Sequence, residues 1–423
     1  MEKNALISRR SAGSAVMILA LCAAAGCVPD GGAIRDSPPL AVEPEVRKTE
    51  PVSPAVRPLP PVLSFEEAVD SAAHAVFTAA PAANEHIDVV IDPLIDGVTG
   101  YQSKATRNIQ DRITALVKRD FPAYSVQRIT PASLKKQPRV LIGTFTPVNA
   151  LGKSSGQRES FWFCLVLLDL KSAKVIAKSV ARVRMGDPDA TPTSAFDDSP
   201  VWTDDVQLRA YVAACQGSSV DDPIKPEYLA GLYAAALISE AGDAYDERRY
   251  AEALDLYSTA RKLPAGDQLR VYNGIYLSLT KLKRTDQAVA AFRDLVNYGL
   301  RNRRLAVKFL FRPGSVRFVS DTSISATYGM WLQQIATLAA LGPVCLQITG
   351  HTSPTGPAAM NESLSLLRAE YVQSQLESDE PRLKKRTVAA GIGSRENLIG
   401  TGRDDATDML DRRVELKPIE PCG

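Results

Sequence analysis

The sequence predicts a multidomain α+β protein: a mixed α/β domain, a short helical region built on a repeat, and a C-terminal βαβαββ domain. Three observations lead there. The chain has 423 residues, more than one hydrophobic core usually organises, so two or three domains are expected. Its apolar periodicity changes along the chain, from strand runs mixed with helical spacing, to helical spacing alone, then back to alternating strands and helices. Stretches rich in Pro, Ser, Thr and Asp separate these regions.

Composition narrows the functional classes. With 45% apolar and 23% charged residues the chain is ordinary for a globular protein. A formal net charge of +2 gives no electrostatic reason to expect nucleic acid as a partner. The basic runs Arg301-Asn302-Arg303-Arg304 and Arg382-Leu383-Lys384-Lys385-Arg386 lack interleaved aromatics and read as solvated faces. His74, His86 and His351 are too scattered for a histidine metal site, and no His-Glu-x-x-His, Cys-x-x-Cys or phosphate-binding glycine loop occurs. No metal, cofactor or catalytic residue is expected, and the chain reads as a non-enzyme.

The first residues set the compartment. Lys3, Arg9 and Arg10 precede an apolar run from Ala12 to Ala25, which ends in Ala24-Ala25-Gly26-Cys27. The run is too short to span a bilayer stably, and small residues before a cysteine suit a signal cleavage site. This pattern resembles a bacterial lipobox. The resemblance implies a signal peptide over 1–26 and acylation of Cys27, each buried methylene contributing about 0.8 kcal/mol of anchoring. Val28, rather than Asp, follows Cys27, which in enteric bacteria favours the outer membrane. Residues 27–62 carry Pro-Pro pairs and many charges and read as an extended tether.

A mixed α/β domain is expected over 63–205. Ile87-Asp88-Val89-Val90-Ile91 reads as a strand, Asp96-Gly97 as a turn, and Thr99 as a cap for a helix carrying Ala105, Ile109, Ile113, Leu116 and Val117. Arg139 to Phe145 reads as another strand, and Phe161–Leu170 with Lys174–Arg184 as a hairpin turning at Lys171-Ser172-Ala173. Element order and the hairpin resemble periplasmic domains of lipoproteins that serve curli secretion, flagellar assembly or peptidoglycan-synthase activation. Residues 187–225 read as a long surface stretch, with 206–226 the connection proper, although Trp202, Tyr211 and Cys215 suggest that part of it packs down.

Helices are expected over 227–300. Ala253 and Tyr257 recur as Ala288 and Phe292, 35 positions later. Small alanines let paired helices approach and the aromatic fills the next groove. Tyr250-x-x-Ala253-x-x-x-Tyr257-x-x-Ala260 resembles a tetratricopeptide repeat, which implies either a peptide-binding groove or a helical spacer.

Over 305–420 the elements are strand Ala306–Phe311, helix 325–341, strand Val344–Ile348, a helix opening at Asn361, strand Arg386–Gly391 and a last strand from Asp411. Gly350-His351-Thr352, the run Asn361-x-x-Leu364-Ser365-x-x-Arg368-Ala369 and the closing Arg412-Arg413-Val414-Glu415 occur in order. Together they resemble the OmpA-like C-terminal domain. That resemblance implies non-covalent binding to the diaminopimelate side chain of peptidoglycan, a ligand with an ammonium and a carboxylate on one carbon. Arg368 is then the carboxylate binder, since a guanidinium grips a carboxylate with two parallel hydrogen bonds. Asn361, Thr355 and Arg412 fall at positions of supporting contacts. The family pattern is Gly-His-Thr-Asp, and here the acidic position is Ser353. A hydroxyl accepts a hydrogen bond from an ammonium without neutralising it, and losing the charge costs on the order of 2–4 kcal/mol. Glu362 is the nearest substitute in sequence. The residues also allow plainer readings: Asn361 as a helix cap, Arg368 and Arg412 as surface ion-pair residues, Gly350 and Gly356 as turn glycines.

Of the cysteines, Cys164, Cys215, Cys345 and Cys422 follow the lipobox and allow three pairings. Cys345–Cys422 is the pairing expected first, and Cys164 and Cys345 are alternatively buried small hydrophobes. The expected whole is a lipid-anchored outer-membrane protein facing the periplasm and holding peptidoglycan. The alternative is a scaffold of an envelope machine with protein partners and weak or lost wall binding.

Overall fold

The structure is a computed structural model that describes residues 59–80, 86–201, 205–303, 305, 307–400, 402 and 407–420. Contacts divide the chain into Met1–Arg57 and Pro58–Gly423. Cys27, the leader and most of the expected tether therefore lie outside the described residues.

The first sheet has six strands: β1 (Val62–Leu63), β2 (Ile87–Ile91), β3 (Tyr124–Arg128), β4 (Arg139–Val148), β5 (Ser160–Asp169) and β6 (Lys174–Arg184). Their order is β1-β6-β5-β4-β2-β3. β2 runs parallel to β3 and β4, while β4, β5 and β6 form an antiparallel meander. β1 adds to the far edge, parallel to β6, so the expected tether ends earlier than 62. The expected hairpin turns where Ala173 adopts φ 54°.

Helices cover both faces of this sheet, which is why β5 is apolar nearly throughout. On one face lie α1 (Phe65–Ala79) and α2 (Lys104–Asp120), packed on Leu141, Phe163, Leu165 and Leu167. Ser64 caps α1 and Glu67 reaches back to the Ser64 N–H at 3.1 Å, a reciprocal pair that starts the helix sharply. The cap of α2 is Ser103 rather than Thr99. Thr99 belongs to the turn before it, where its N–H donates to Asp96 Oδ1 at 2.7 Å. Between these elements and the next come the short helices α3 (Pro131–Leu134) and α4 (Ser194–Asp197).

On the other face lies α5 (Val206–Gln216), a helix where a loop connection was expected. Its Leu208, Tyr211 and Ala214 pack on Val140, Ile142 and Val166. The Tyr211 hydroxyl accepts the Gly143 N–H at 3.0 Å, and a disulfide joins Cys215 to Cys164 of β5. Cys164 is therefore not a plain buried hydrophobe. Cys345 is also disulfide-bonded, and the expected partner Cys422 lies outside the described residues. The Cys164–Cys215 bond closes a loop of 51 residues, so its removal should cost about 2–4 kcal/mol. Urea unfolding of the Cys164→Ser/Cys215→Ser variant reads this directly, and an unchanged midpoint would refute it.

The helical region comprises α6 (Pro226–Asp246), α7 (Tyr250–Arg261), α8 (Leu269–Lys281) and α9 (Thr285–Arg301). The repeated Ala253/Tyr257 and Ala288/Phe292 occupy equivalent buried places on α7 and α9. Tyr257 lies so close to α8 that a Cβ on Gly274 would stand 2.3 Å from its ring; only glycine admits that approach.

The C-terminal elements are β7 (Phe309–Leu310), α10 (Thr322–Ser325), α11 (Tyr328–Leu341), β8 (Cys345–Gly350), α12 (Ala358–Asp379), β9 (Thr387–Gly391) and β10 (Arg413–Ile419). With the short α10 set aside, this is the expected βαβαββ order. The sheet runs β7-β10-β8-β9, with β8 parallel to β9 and β10 antiparallel to both β7 and β8. Arg386, expected on a solvated face, instead donates to the carbonyls of Ala339 at 2.7 Å and Val344 at 2.6 Å, tying down the end of α11. One continuous core joins α7, α8 and α9 to α11, α12, β8 and β10.

Candidate functional site

The site expected from the sequence sits where β8 ends against α12. A Cβ on Gly350 would fall 1.8 Å from the Ser365 carbonyl, so this glycine does more than shape a turn. It lets the strand end press on the helix backbone. Beyond it, the His351 N–H donates to the Arg413 carbonyl at 2.8 Å and the Thr352 N–H to the Gly393 carbonyl at 3.0 Å. The segment 351–353 is thus clamped between β10 and the loop after β9, and Ser353 is 6% exposed.

Helical period places Asn361, Ser365 and Arg368 on the buried face of α12. Asn361 lies inside the helix, whose N-cap is Pro357, so it is no cap. Its Nδ2 reaches back to the Thr355 carbonyl at 3.1 Å and holds the loop before the helix. Thr355 itself is exposed. The neighbouring Gly356 adopts φ 93°, a turn conformation open to glycine.

Arg368 is fully buried rather than a surface ion-pair residue. Its Nε donates to the Ser315 carbonyl at 2.9 Å, Nη1 to His351 O at 3.1 Å and Nη2 to Arg312 O at 2.9 Å. The guanidinium also lies 5.2 Å from the centre of the Phe311 ring. Backbone carbonyls thus take three of its five N–H donors and fix its plane. Arg412 is buried as well, and its carbonyl accepts the Phe311 N–H at 2.9 Å. Glu362 pairs with Arg395 on the surface.

Two residues not singled out from the sequence organise the neighbouring loop. Asp411 is fully buried and accepts the N–H groups of Leu398 at 2.6 Å, Ile399 at 3.0 Å and Gly400 at 2.7 Å. Burial pushes its carboxyl above the usual carboxylate range, against the pull of Arg413 and these N–H groups. Arg158, from the loop between β4 and β5, enters from the first sheet. It donates to the carbonyls of Gly156 at 2.6 Å and Ser154 at 2.7 Å, and to Asn397 O. Asn397 in turn donates to the Thr352 carbonyl at 2.8 Å. The mixed α/β region therefore braces the loop beside Ser353.

His351 is 1% exposed and neither ring nitrogen has a hydrogen-bond partner among the described residues. Burial, then the Arg413 charge, push it down to about 3, with Glu415 opposing. An unfolded chain takes up this proton near 6.5, while the folded state resists until about 3. Stability from this group is complete above 6.5 and falls as the pH drops between those values, by about 2 kcal/mol at pH 5. The His351→Gln variant should lose that part of the decline in urea unfolding between pH 7.5 and 5. Parallel declines in both proteins would refute the assignment.

Among the described residues no helix is long and apolar enough to cross a membrane, and no group of side chains is arranged to hold a metal ion. No family model and no curated protein matches this sequence. Solved structures do align with part of it. The peptidoglycan-associated lipoprotein from Burkholderia pseudomallei covers 26% of this chain and 89% of its own, at 25% identity and a TM-score of 0.23. An outer membrane protein from Borrelia burgdorferi B31 covers 27% of this chain and 87% of its own, at 22% identity and a TM-score of 0.21. The periplasmic domain of Helicobacter pylori MotB covers 27% of this chain and 74% of its own, at 16% identity and a TM-score of 0.21.

Proposed function

We propose that this chain is a non-enzymatic envelope protein, lipid-anchored through Cys27 in the outer membrane, whose C-terminal unit associates non-covalently with peptidoglycan from the periplasmic side. The observation that carries the reading is one corner of the fold. The strand end 351–353, the buried Asn361 and the rigidly held Arg368 converge there, behind the exposed Thr355 loop. Arg368 serves as the fixed cation for the diaminopimelate carboxylate, with Arg412 beside the closing strand. Ser353 offers the ammonium a hydroxyl. Binding of this kind needs a preorganised donor plane, and the three carbonyl contacts on Arg368 supply it.

Co-sedimentation of the full chain with purified sacculi tests the reading. Binding at low salt is expected, weakened by Asn361→Ala, which leaves the buried guanidinium in place. A chain that stays in the supernatant at low salt overturns it.

One observation favours the second reading, an assembly scaffold with protein partners. The position that carries the acid in the family pattern is Ser353, and Glu362 is engaged with Arg395 instead of substituting for it. On that reading the α/β and helical regions are the working surfaces. Crosslinking in cells separates the two: recovery of peptidoglycan alone, without a protein partner, counts against the scaffold.

A further inference from the structure

A second feature, independent of wall binding, lies between the two sheets. A cavity of about 450 Å³ opens there. Its apolar lining comes from both sides: Phe145 and Phe161 of the first sheet with Met185 just after β6, and Leu398, Met409 and Leu410 from the C-terminal unit. Phe145 and Phe161 stack with centroids 4.5 Å apart and present a flat aromatic wall. Asp96, Asp189 and Asp197 also line the cavity: Asp189 and Asp197 are exposed, which places them at its mouth, while Asp96 is half-buried and its Oδ1 accepts the Val98 and Thr99 N–H groups. No lysine, arginine or histidine is among the described residues that line it.

Two physical arguments point to a ligand. Protein interiors are close-packed and seldom leave voids much larger than a water molecule, and apolar walls give water few partners. Ligand pockets, by contrast, favour domain junctions and volumes of roughly 300–1,000 Å³. The charge pattern then selects among ligands. A fatty acid or an anionic headgroup would meet two carboxylates at the mouth, whereas a cation would be attracted. The Lys104 ammonium lies 3.3 Å from Asp189, with both side chains more than half exposed. Such a pair holds its partners weakly, so an incoming cation can displace it.

We propose that this cavity binds an amphipathic cation, its apolar or aromatic body between Phe161, Met185 and Leu410 and its ammonium facing Asp189 and Asp197. The chemistry fits a small cationic amphiphile, and equally an apolar peptide end carrying a lysine.

Calorimetric titration of the full chain, carrying Cys27→Ala so that no lipid is added, tests this below the micelle concentration of each probe. Decyltrimethylammonium should bind saturably and at least tenfold more tightly than decanoate. Asp189→Asn/Asp197→Asn should weaken the cation by about three- to tenfold without affecting decanoate. Met185→Trp, which fills the cavity from a partly exposed position, should abolish saturable binding while leaving the thermal transition in place. A short apolar peptide ending in lysine amide distinguishes the sources: competition with the surfactant identifies a peptide ligand, and its failure leaves the small amphiphile. Equal affinity for decanoate and the cation, or binding indifferent to Met185→Trp, overturns the proposal.

Discussion

Replacing Ser353 with aspartate should tighten binding of the full chain to isolated sacculi by roughly thirty- to several-hundred-fold, the equivalent of about 2–4 kcal/mol. The ligand in the wall-binding reading carries an ammonium and a carboxylate on one carbon. On that reading Arg368 is the carboxylate binder, and its plane is set by the Ser315, His351 and Arg312 carbonyls. On the same reading the ammonium meets a hydroxyl at Ser353, which is 6% exposed and ends a segment clamped by Arg413 and Gly393. A carboxylate there gains full charge pairing in a partly desolvated place. It also adds a nearly buried charge to the unliganded protein, so the variant should be slightly less stable alone and recover with ligand. Dissociation constants from sedimentation, with thermal unfolding followed by circular dichroism, read both effects. Unchanged affinity in a folded variant would remove Ser353 from the ammonium position. A parent chain that does not bind beside a variant that does would show a retained fold with a lost ligand, the state that favours the scaffold reading.

How much of this was legible depends on the range of the interactions. The β5–β6 hairpin could be read because both strands and the turn at Ala173 are local in sequence. The spacing that brings Asn361 and Arg368 to one face of α12 is local too. Helix α1 went unread although Ser64 and Glu67 form a capping box and Phe65, Ala68, Val69, Ala72 and Val76 repeat at helical spacing; the Pro60-Pro61 pair just before it drew the tether too far. Helix α5 was hidden because its Asp- and Pro-rich flanks dominate the composition, while Tyr211 and Cys215, which did hint at packing, find their partners far off in sequence: Gly143 of β4 and the Pro93 carbonyl for Tyr211, Cys164 of β5 for Cys215. The burial of Arg368 was illegible for a stronger reason. Its acceptors are backbone carbonyls of the 312–315 turn and of His351, and a carbonyl has no signature in sequence. The same holds for Arg158, which reaches from the first sheet to the Asn397 carbonyl.

The continuous core makes its own prediction, at Trp331. This residue of α11 stacks on Phe292 of α9 with centroids 5.6 Å apart, and its Nε1 donates to the Tyr276 hydroxyl of α8 at 2.8 Å. It also contacts the Tyr328 ring at 5.1 Å and the Phe309 ring of β7 at 6.2 Å. One side chain thus fastens the helical pairs to the C-terminal sheet. Trp331→Ala should cost about 3–5 kcal/mol through the cavity it leaves, a large part of the roughly 5–15 kcal/mol that holds a typical domain folded. Trp331→Phe keeps a ring and loses the N–H, so about 1 kcal/mol is expected. The sharper consequence concerns cooperativity. Hydrogen exchange should give α9 and α12 matching opening free energies in the parent, because both belong to one core. In Trp331→Ala these should separate, with α9 opening first, since α12 keeps its own contacts with β8 and β9. Distinct opening energies already present in the parent would show two independent cores, and the helical pairs would then be a spacer with no mechanical hold on the candidate site.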